Sequence, residues 1–484
     1  MAKLQLTPGV DTGAVERFGE QSARDGGLLA ISGASTATLS EDEGVVAIFD
    51  LAQGVETRRF RELLGPGISF GFDIDLHAGR LLVGAPQTAA IFPGFDDPGQ
   101  VFLYDAQTGA TLQTFTSGFG QILGADVALN STHLFLGDGL GERVEVYDVQ
   151  TGAFVQFIEA AGFTQGFASE LECDDDLLLV TELSSLQPTS RVFVYDAATF
   201  TLQGILNSPN VTGFVGDQFG ASLGLSEDYV IVGAHELNLF PISFGIGAAY
   251  VFDRTTLQLV TPLLSGAPEL FQTFGESVAV SGDRALVGAP RDNTPGTFAG
   301  RAYLYELPSG QLLDTLTPFD QTPEDFFGVG CQLFDGMAFV GATQATGAAG
   351  DTGAAYLFDL EGDAWLNVGP GLAGAAGVPQ LVGSGDFTPG APITLDLSGA
   401  APLSPALLVA GIDEQLYAPF FGGVLVPALN VELPGTTDGA GAISWATPAP
   451  FLPVGTTVLL QYWVLDPSAP QGVAASNGLS ATVF

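Results

Sequence analysis

Residues 274–290 read Phe274-Gly275-Glu276-Ser277-Val278-Ala279-Val280-Ser281-Gly282-Asp283-Arg284-Ala285-Leu286-Val287-Gly288-Ala289-Pro290. Two apolar runs, Ser277 to Val280 and Ala285 to Val287, flank Ser281-Gly282-Asp283, residue types that accept positive φ or cap their own backbone. The stretch is therefore a strand, a tight turn and a second strand. Further along, Ala302 to Tyr305 forms a third strand after a longer loop, and Pro308-Ser309-Gly310 turns the chain into a fourth, Leu312 to Thr317. Such a four-stranded sheet has two apolar faces and cannot cover both alone.

The landmarks of this stretch recur. An aromatic–small pair stands at Phe18-Gly19, Phe70-Gly71, Leu123-Gly124, Phe167-Ala168, Phe219-Gly220, Phe274-Gly275 and Phe327-Gly328, 44 to 55 residues apart. A second small-residue signal follows, as in Gly84-Ala85-Pro86, Gly233-Ala234 and Gly341-Ala342, and has degenerated to Thr181-Glu182 in the fourth copy. A third ends the next strand, as in Tyr104-Asp105, Phe252-Asp253 and Phe358-Asp359. Seven copies in register predict an all-β fold, a seven-bladed β-propeller over residues 1–362 in which neighbouring blades cover each other's faces. Lys3 to Thr7 matches the fourth strand that precedes each pair, and is expected to complete blade seven and hide its edge.

Phe-Gly followed by Gly-Ala-Pro, together with the strand Ala249-Tyr250-Val251-Phe252-Asp253, resembles the FG-GAP repeat of the integrin α-subunit head, most of all its short bacterial variant. The resemblance covers about three quarters of the chain. It implies a propeller working in adhesion or ligand binding. In that family a nine-residue Asp-rich loop between the first two strands holds calcium. Here both strands must fit between the two glycine landmarks, which leaves two to four residues for the turn. Asp25-Gly26-Gly27, Asp174-Asp175-Asp176 and Asp335-Gly336 are what remains, too short to cage a divalent ion. No cofactor and no metal site are expected, and calcium is disfavoured.

Residues 363–484 lose the repeat and shift to Gly, Ala and Pro. Strands at Ile393 to Leu397, Ala406 to Gly411, Gly423 to Pro427, Thr457 to Val464 and Leu479 to Val483 predict a small β-sandwich. Tyr462 and Trp463, in its most apolar strand, read as core. The endings Pro419-Phe420-Phe421-Gly422-Gly423 and Asp466-Pro467 through Gly472-Val473-Ala474-Ala475-Ser476-Asn477 resemble a carboxy-terminal module of secreted environmental bacteria.

Fifty-four acidic residues face thirteen basic ones, a net charge of −41, and no Lys or Arg follows Arg301. A field of this sign repels nucleic acid and anionic membrane surfaces. No apolar run is long enough to span a bilayer. The start, Met1 to Leu6, does not read as a signal peptide, so export implies a leader removed or lying upstream. Cys173 and Cys331 fall on innermost strands of non-adjacent blades and are expected as two unpaired, buried thiols.

Catalytic signatures are weak. Gly220-Ala221-Ser222-Leu223-Gly224 matches a nucleophile pattern that has meaning only at a strand-to-helix elbow. Here it lies in an innermost strand, and Ser222 reads as an ordinary repeat residue. His77, His133 and His235 belong to different blades and have no metal spacing. No catalytic residue is assigned.

Strand alternation sends the longer loops to one end of the blades, where function concentrates on a rigid scaffold. These loops carry the candidate ligand-binding residues Phe92, Phe95, Asp96, Asp97, Phe240, Phe244, Asp292, Phe298 and Asp351. Aromatic and acidic side chains together suit a sugar or a cationic peptide. The expected function is a secreted or cell-surface adhesion scaffold presenting this face to a glycan or protein ligand of the cell surface or matrix. The competing expectation is an extracellular glycan-active hydrolase or lyase using the same face.

Overall fold

The computed structural model describes residues 3–6, 17–33, 44–51, 55–62, 64, 68–86, 99–116, 122–138, 142–159, 166–183, 190–209, 217–236, 245–266, 269–294, 296–318, 321–334, 336–347, 350–351, 353–360, 365–369, 371–385, 387–412, 415–427, 430–453 and 456–483. Among them the protein is all-β, with seven four-stranded antiparallel sheets whose strands are lettered A to D from one edge to the other. Sheet 1 is Ser22–Asp25, Leu28–Gly33, Val45–Asp50 and Val55–Phe60; sheet 2 is Ile74–His77, Arg80–Ala85, Gln100–Asp105 and Thr111–Thr116. Sheet 3 is Leu123–Leu129, His133–Asp138, Arg143–Asp148 and Phe154–Glu159; sheet 4 is Phe167–Cys173, Leu177–Glu182, Arg191–Asp196 and Leu202–Asn207. Sheet 5 is Leu223–Leu225, Tyr229–Ala234, Ala248–Asp253 and Leu259–Leu263; sheet 6 is Val278–Ser281, Arg284–Ala289, Arg301–Glu306 and Gln311–Leu316. Sheet 7 takes Phe327–Phe334, Met337–Ala342 and Ala354–Asp359 from one end of the sequence and Lys3–Leu6, its strand D, from the other.

Strand A of each sheet packs on strand A of the next, and strand A of sheet 7 packs on that of sheet 1, so the inner strands form a closed cycle. Strands B and C are buried along most of their length, while strand D keeps an exposed face. This is why the B and C runs are almost wholly apolar and the D runs alternate. One core cluster joins Ile48 and Phe60 of sheet 1 to Leu81, Val83 and Tyr104 of sheet 2, which shows one sheet's face covered by its neighbour.

The repeat signature has a direct physical cause. The Phe of each aromatic–small pair is 0–1 % exposed, and Leu123 takes the same place. The small residue after it has positive φ, from 63° at Ala168 to 100° at Gly328, which glycine adopts without strain. In sheet 6 the Gly275 N–H donates to the Gly288 carbonyl at 2.9 Å, so the A–B hairpin locks both landmarks together and fixes their spacing. Gly288 lies against the carbonyl of Gly328 in the next repeat, where a side-chain carbon would overlap it. The same holds for Gly84 against Gly124 and Gly233 against Gly275. The degenerate fourth copy solves the problem differently: Thr181 Oγ1 donates to the Gly220 carbonyl at 2.9 Å, and buried Glu182 pairs with Arg191.

Side chains at the start of strand A stitch the seams. Ser222 Oγ donates to the Gly275 carbonyl at 3.0 Å and Ser277 Oγ to that of Gly328 at 2.8 Å. In the acidic part of the ring the polarity is reversed. Asp73 Oδ2 accepts Val127 N–H at 2.7 Å, Asp75 Oδ2 accepts Leu129 N–H at 2.7 Å, and Asp126 Oδ1 accepts Leu171 N–H at 2.9 Å. Edge donors of the inner strands of sheets 3 and 4, which lack a ladder partner, are thereby satisfied.

The chain divides into two compact units, residues 5–48 with 57–356, and residues 357–484 with 1–4 and 49–56. In the second, a six-stranded sheet of Trp365–Gly369, Gly478–Thr482, Thr457–Leu465, Pro405–Ile412, Val431–Thr436 and Val473–Ala475 accompanies a three-stranded sheet of Gln380–Ser384, Pro392–Ser398 and Ile443–Pro448. Leu381, Ile393, Leu395 and Leu397 of the smaller sheet share one core with Trp365, Leu408, Leu460, Tyr462 and Leu479 of the larger. Trp365 packs over Gly383, where any side chain would strike its ring, and donates Nε1–H to the Gly385 carbonyl at 2.9 Å. Tyr462 and Trp463 are core residues, 4 % and 7 % exposed.

Candidate functional site

In sheets 1 to 6 the A–B and C–D turns leave one end, and the B–C loops and the connections into the next sheet leave the other. In sheets 1 to 6 the A–B turns span two or three residues, such as Gly26-Gly27 and Gly282-Asp283. The C–D turns are self-capped: Asp105, Asp148, Asp196 and Asp253 each accept both the N–H and the hydroxyl of a threonine three residues on. Those bonds hold each of the four carboxyls below its ordinary range.

The Asp174-Asp175-Asp176 run is likewise a clamp. Asp174 receives Arg254 of sheet 5 through both Nη1 (2.5 Å) and Nη2 (3.1 Å), and Asp176 receives Nη2 at 3.4 Å. Asp175 accepts the N–H and hydroxyl of Ser131 in sheet 3 at 2.8 and 2.9 Å. No group of three or more His, Cys, Asp or Glu side chains has metal-holding geometry among the described residues.

At the opposite end, three loops around sheets 6 and 7 are knitted into a platform. Loop 264–274 meets loop 291–300 where Gln272 Nε2 donates to Asp292 Oδ2 at 2.6 Å and Thr294 Oγ1 donates to Glu269 Oε1 at 3.0 Å. Loop 291–300 meets loop 317–327 through Glu324 N–H to the Thr297 carbonyl (2.8 Å) and Phe326 N–H to the Phe298 carbonyl (3.1 Å). Gln321 Nε2 adds a bond to the Gly300 carbonyl at 2.7 Å. Phe271, Thr273, Phe298, Glu324 and Phe326 all have φ between 50° and 69°. Left-handed backbone at five non-glycine residues is strained, and such strain persists only where surrounding structure enforces it. On this platform Leu270 and Phe271 are each 51 % exposed.

The nine sequence candidates fall into three groups. Phe92, Phe95, Asp96, Asp97, Phe240 and Phe244 lie outside the described residues. Asp351 lies in a two-stranded element that pairs Thr346–Gly347 with Gly350–Asp351, within the B–C loop of sheet 7. Asp292 and Phe298 are on the platform. Asp292 is 0 % exposed, and its carboxylate accepts from Gln272, from the Tyr303 hydroxyl and from Thr294 N–H. Burial raises its proton affinity, but those donors outweigh burial and leave the carboxyl below its ordinary range. Burial and the adjacent carboxylate push the Tyr303 phenol upward. Asp292 thus faces inward and fastens the loop, while Phe298 is half-buried and stacks on Phe326 at 5.9 Å.

Gln272, Tyr303, Phe326 and exposed Phe271 escaped the reading of the sequence. A signal for the first was present. Asp217, Gln272 and Asp325 each stand two residues before a Phe-Gly pair, and each ties down the loop entering strand A: Asp217 accepts from Ser208 Oγ and Phe219 N–H, and Asp325 from Thr322. Ser222 is buried and committed to the seam bond to Gly275. Cys173 and Cys331 are unpaired, and both keep partial access to solvent instead of being sealed.

A family model described as FG-GAP repeat matches residues 271–305, the stretch that carries Phe271, the platform loop and strands A to C of sheet 6. No curated protein matches the chain. Among solved structures, the Cps50 (Swd1) beta-propeller domain of Myceliophteria thermophila aligns at 14 % identity and a TM-score of 0.47, covering 74 % of this chain and 99 % of that one. Hsv2 of Kluyvelomyces marxianus aligns at 12 % identity and 0.42, covering 66 % and 87 %. Independently of these likenesses, the closed cycle of four-stranded antiparallel sheets gives the chain the all-β architecture of the propeller class. Within that class it carries an FG-GAP repeat at sheet 6.

Proposed function

We propose that the seven sheets are the blades of one seven-bladed propeller of the integrin-α-like, short bacterial type, that residues 363–484 form a β-sandwich, and that the protein is a secreted or cell-surface adhesion scaffold. Its ligand is a glycan or a protein of the cell surface or matrix, held on the loop end. One observation carries this reading: the platform of loops 264–274, 291–300 and 317–327 is cross-bonded, strained into left-handed backbone at five residues, and topped by exposed Leu270 and Phe271. A rigid platform with an exposed aromatic binds without first being ordered, which lowers the entropic cost of association. The acidic side chains Glu269, next to Leu270 in the chain, and Glu324, on the third loop of the platform, suit hydroxyl or ammonium donors. The polar groups best placed for chemistry, Asp292 and Ser222, are consumed by structural bonds, which favours binding over catalysis. The proposal invokes no cofactor.

A glycan array probed with the labelled full chain and with Phe271→Ala tests it. Retention of one glycan class, weakened about tenfold or more by the variant, is the expected result. Retention unaffected by Phe271→Ala would remove the platform from the proposal. Turnover of a retained glycan would move the protein to the glycan-active enzyme class.

A further inference from the structure

Strand D ends every sheet and pairs on one side only, so among the described residues its other edge has backbone N–H and C=O groups with no strand beside them. Such an edge is a template for another strand unless charge or proline blunts it. On this strand sheet 1 carries Glu56, Arg58 and Arg59, sheet 5 Pro262, sheet 6 Asp314 and sheet 7 Lys3. In sheet 3 it reads Phe154-Val155-Gln156-Phe157-Ile158-Glu159, with no proline and no charge before its last residue. Phe154, Val155 and Phe157 are 48, 42 and 42 % exposed. The edges of sheets 2 and 4 also lack charge and proline, but the first exposes Leu112 and the second Leu202 and Ile205, with no exposed aromatic ring.

The aromatic residues of this edge act together. Tyr147 lies opposite Phe154 and Val146 opposite Gln156, which leaves Val155 as an extra residue in strand D. Residues three apart in a regular strand point to opposite faces. The extra residue brings Phe154 and Phe157 to the same face, with ring centroids 4.7 Å apart. Tyr147 meets Phe154 at 5.6 Å and Phe115 of sheet 2 at 4.6 Å, so the exposed rings continue a row that begins in the core. At the other end of the row the Arg143 guanidinium sits 4.2 Å from the centroid of Phe157, held by Glu145 Oε1 at 3.1 Å from Nη2. The edge thus already keeps one cation on an aromatic face.

We propose that sheet 3 accepts a fifth strand along Phe154–Glu159, supplied by an extended segment of a basic partner protein in which apolar and cationic residues alternate. This edge belongs to sheet 3 and not to the platform at sheets 6 and 7. Main-chain hydrogen bonds to the open edge supply the affinity. Apolar side chains of the segment cover Phe154, Val155 and Phe157, and its cations reach aromatic faces of the kind that Arg143 uses. Charge selects the partner. The chain carries a net charge of −41, so a basic segment is drawn to it, whereas a second copy is repelled.

The probe is a fluorescein-labelled peptide of about ten alternating valine and lysine residues, titrated with the full chain at about 0.15 M salt. Anisotropy should report binding, and amide exchange should slow in Phe154–Glu159. The same peptide with every amide methylated keeps its charge, loses its backbone donors and should bind about tenfold or more weakly. Val155→Lys places a charge at an exposed position of the edge. It should weaken binding about tenfold or more, with a calorimetric transition within about 1 °C of the wild type. The methylated peptide and the exchange pattern both read the wild type, so they do not depend on the variant's folding. No binding by the wild type, equal binding of the methylated peptide, full retention by Val155→Lys or protection confined to other segments would overturn the proposal. A dimer in high salt that Val155→Lys abolishes would replace the basic partner with a second copy.

Discussion

The carbonyl oxygen of Gly19 occupies the space into which a side chain at Gly341 would have to project. These residues are 322 positions apart, yet they repeat the contact that Gly288 makes with Gly328 and Gly84 with Gly124. The last sheet therefore meets the first through the same interlock that joins the others. Gly341→Ala should lower stability by about 3 kcal/mol through forced displacement of backbone. Gly27→Ala, in a turn with open space around it, should stay within about 0.5 kcal/mol. Paired denaturant titrations check the contrast.

Lys3–Leu6 supplies strand D of sheet 7. Deleting residues 1–9 removes that strand and bares the outer edge of Ala354–Asp359. The calorimetric transition is expected to fall by about 4 °C or more, and self-association should rise as the edge becomes available for pairing. An unchanged transition together with an unchanged sedimentation profile would contradict this.

Arg254 reaches from sheet 5 to Asp174, Asp176 and the Ser226 carbonyl, with its side chain 12 % exposed. Arg254→Ala should cost about 1–2 kcal/mol, the lower part of the range for bonds to charged groups because Asp174 and Asp176 stay accessible to water. Arg254→Lys should recover less than half, since an ammonium cannot reproduce the two-pronged contact with Asp174. Equilibrium unfolding of the three proteins at one salt concentration decides it.

Asp292→Ala leaves the Tyr303 hydroxyl and the Gln272 amide without their shared acceptor in a buried site. The expected cost is about 2 kcal/mol. Amide exchange should accelerate in segments 264–274 and 291–300, with the inner strands of sheets 2 to 4 unaffected. Because the folded carboxyl lies below its ordinary value, this contribution is present at neutral pH and is lost only as pH falls through the folded value.

Burial first, and then nearby carboxylates, pushes the Cys173 thiol up, and burial pushes Cys331 up to about 12. At pH 8 the native chain should react with iodoacetamide on the order of 100-fold more slowly than the unfolded chain at both positions. Mass spectrometry of the alkylated peptides reads this directly.

Most of the fold was legible in the residues because the repeat rests on local stereochemistry. Phe274-Gly275 to Gly288-Ala289-Pro290 encodes a hairpin whose ends must be small, one for positive φ and the other for a neighbour's carbonyl, and those demands leave a mark wherever the hairpin recurs. Turn lengths were legible for the same reason, since two strands and a fixed glycine spacing leave few residues over. The platform was only partly visible. Asp292 and Phe298 could be placed on a loop, but loop position does not say which way a side chain faces. Asp292 turned inward because Gln272 and Tyr303, from a different loop and a strand, offered it donors.

The sheets, their number of strands and the small residues at their junctions could be read from residue order alone, because backbone sterics act over a few residues. The packed fold alone settled that the carboxylates of Asp73, Asp75 and Asp126 accept the N–H groups of Val127, Leu129 and Leu171 on neighbouring inner strands about 45 to 54 positions away. Charge interactions depend on distance in space, and nothing local records which inner strands will lie side by side.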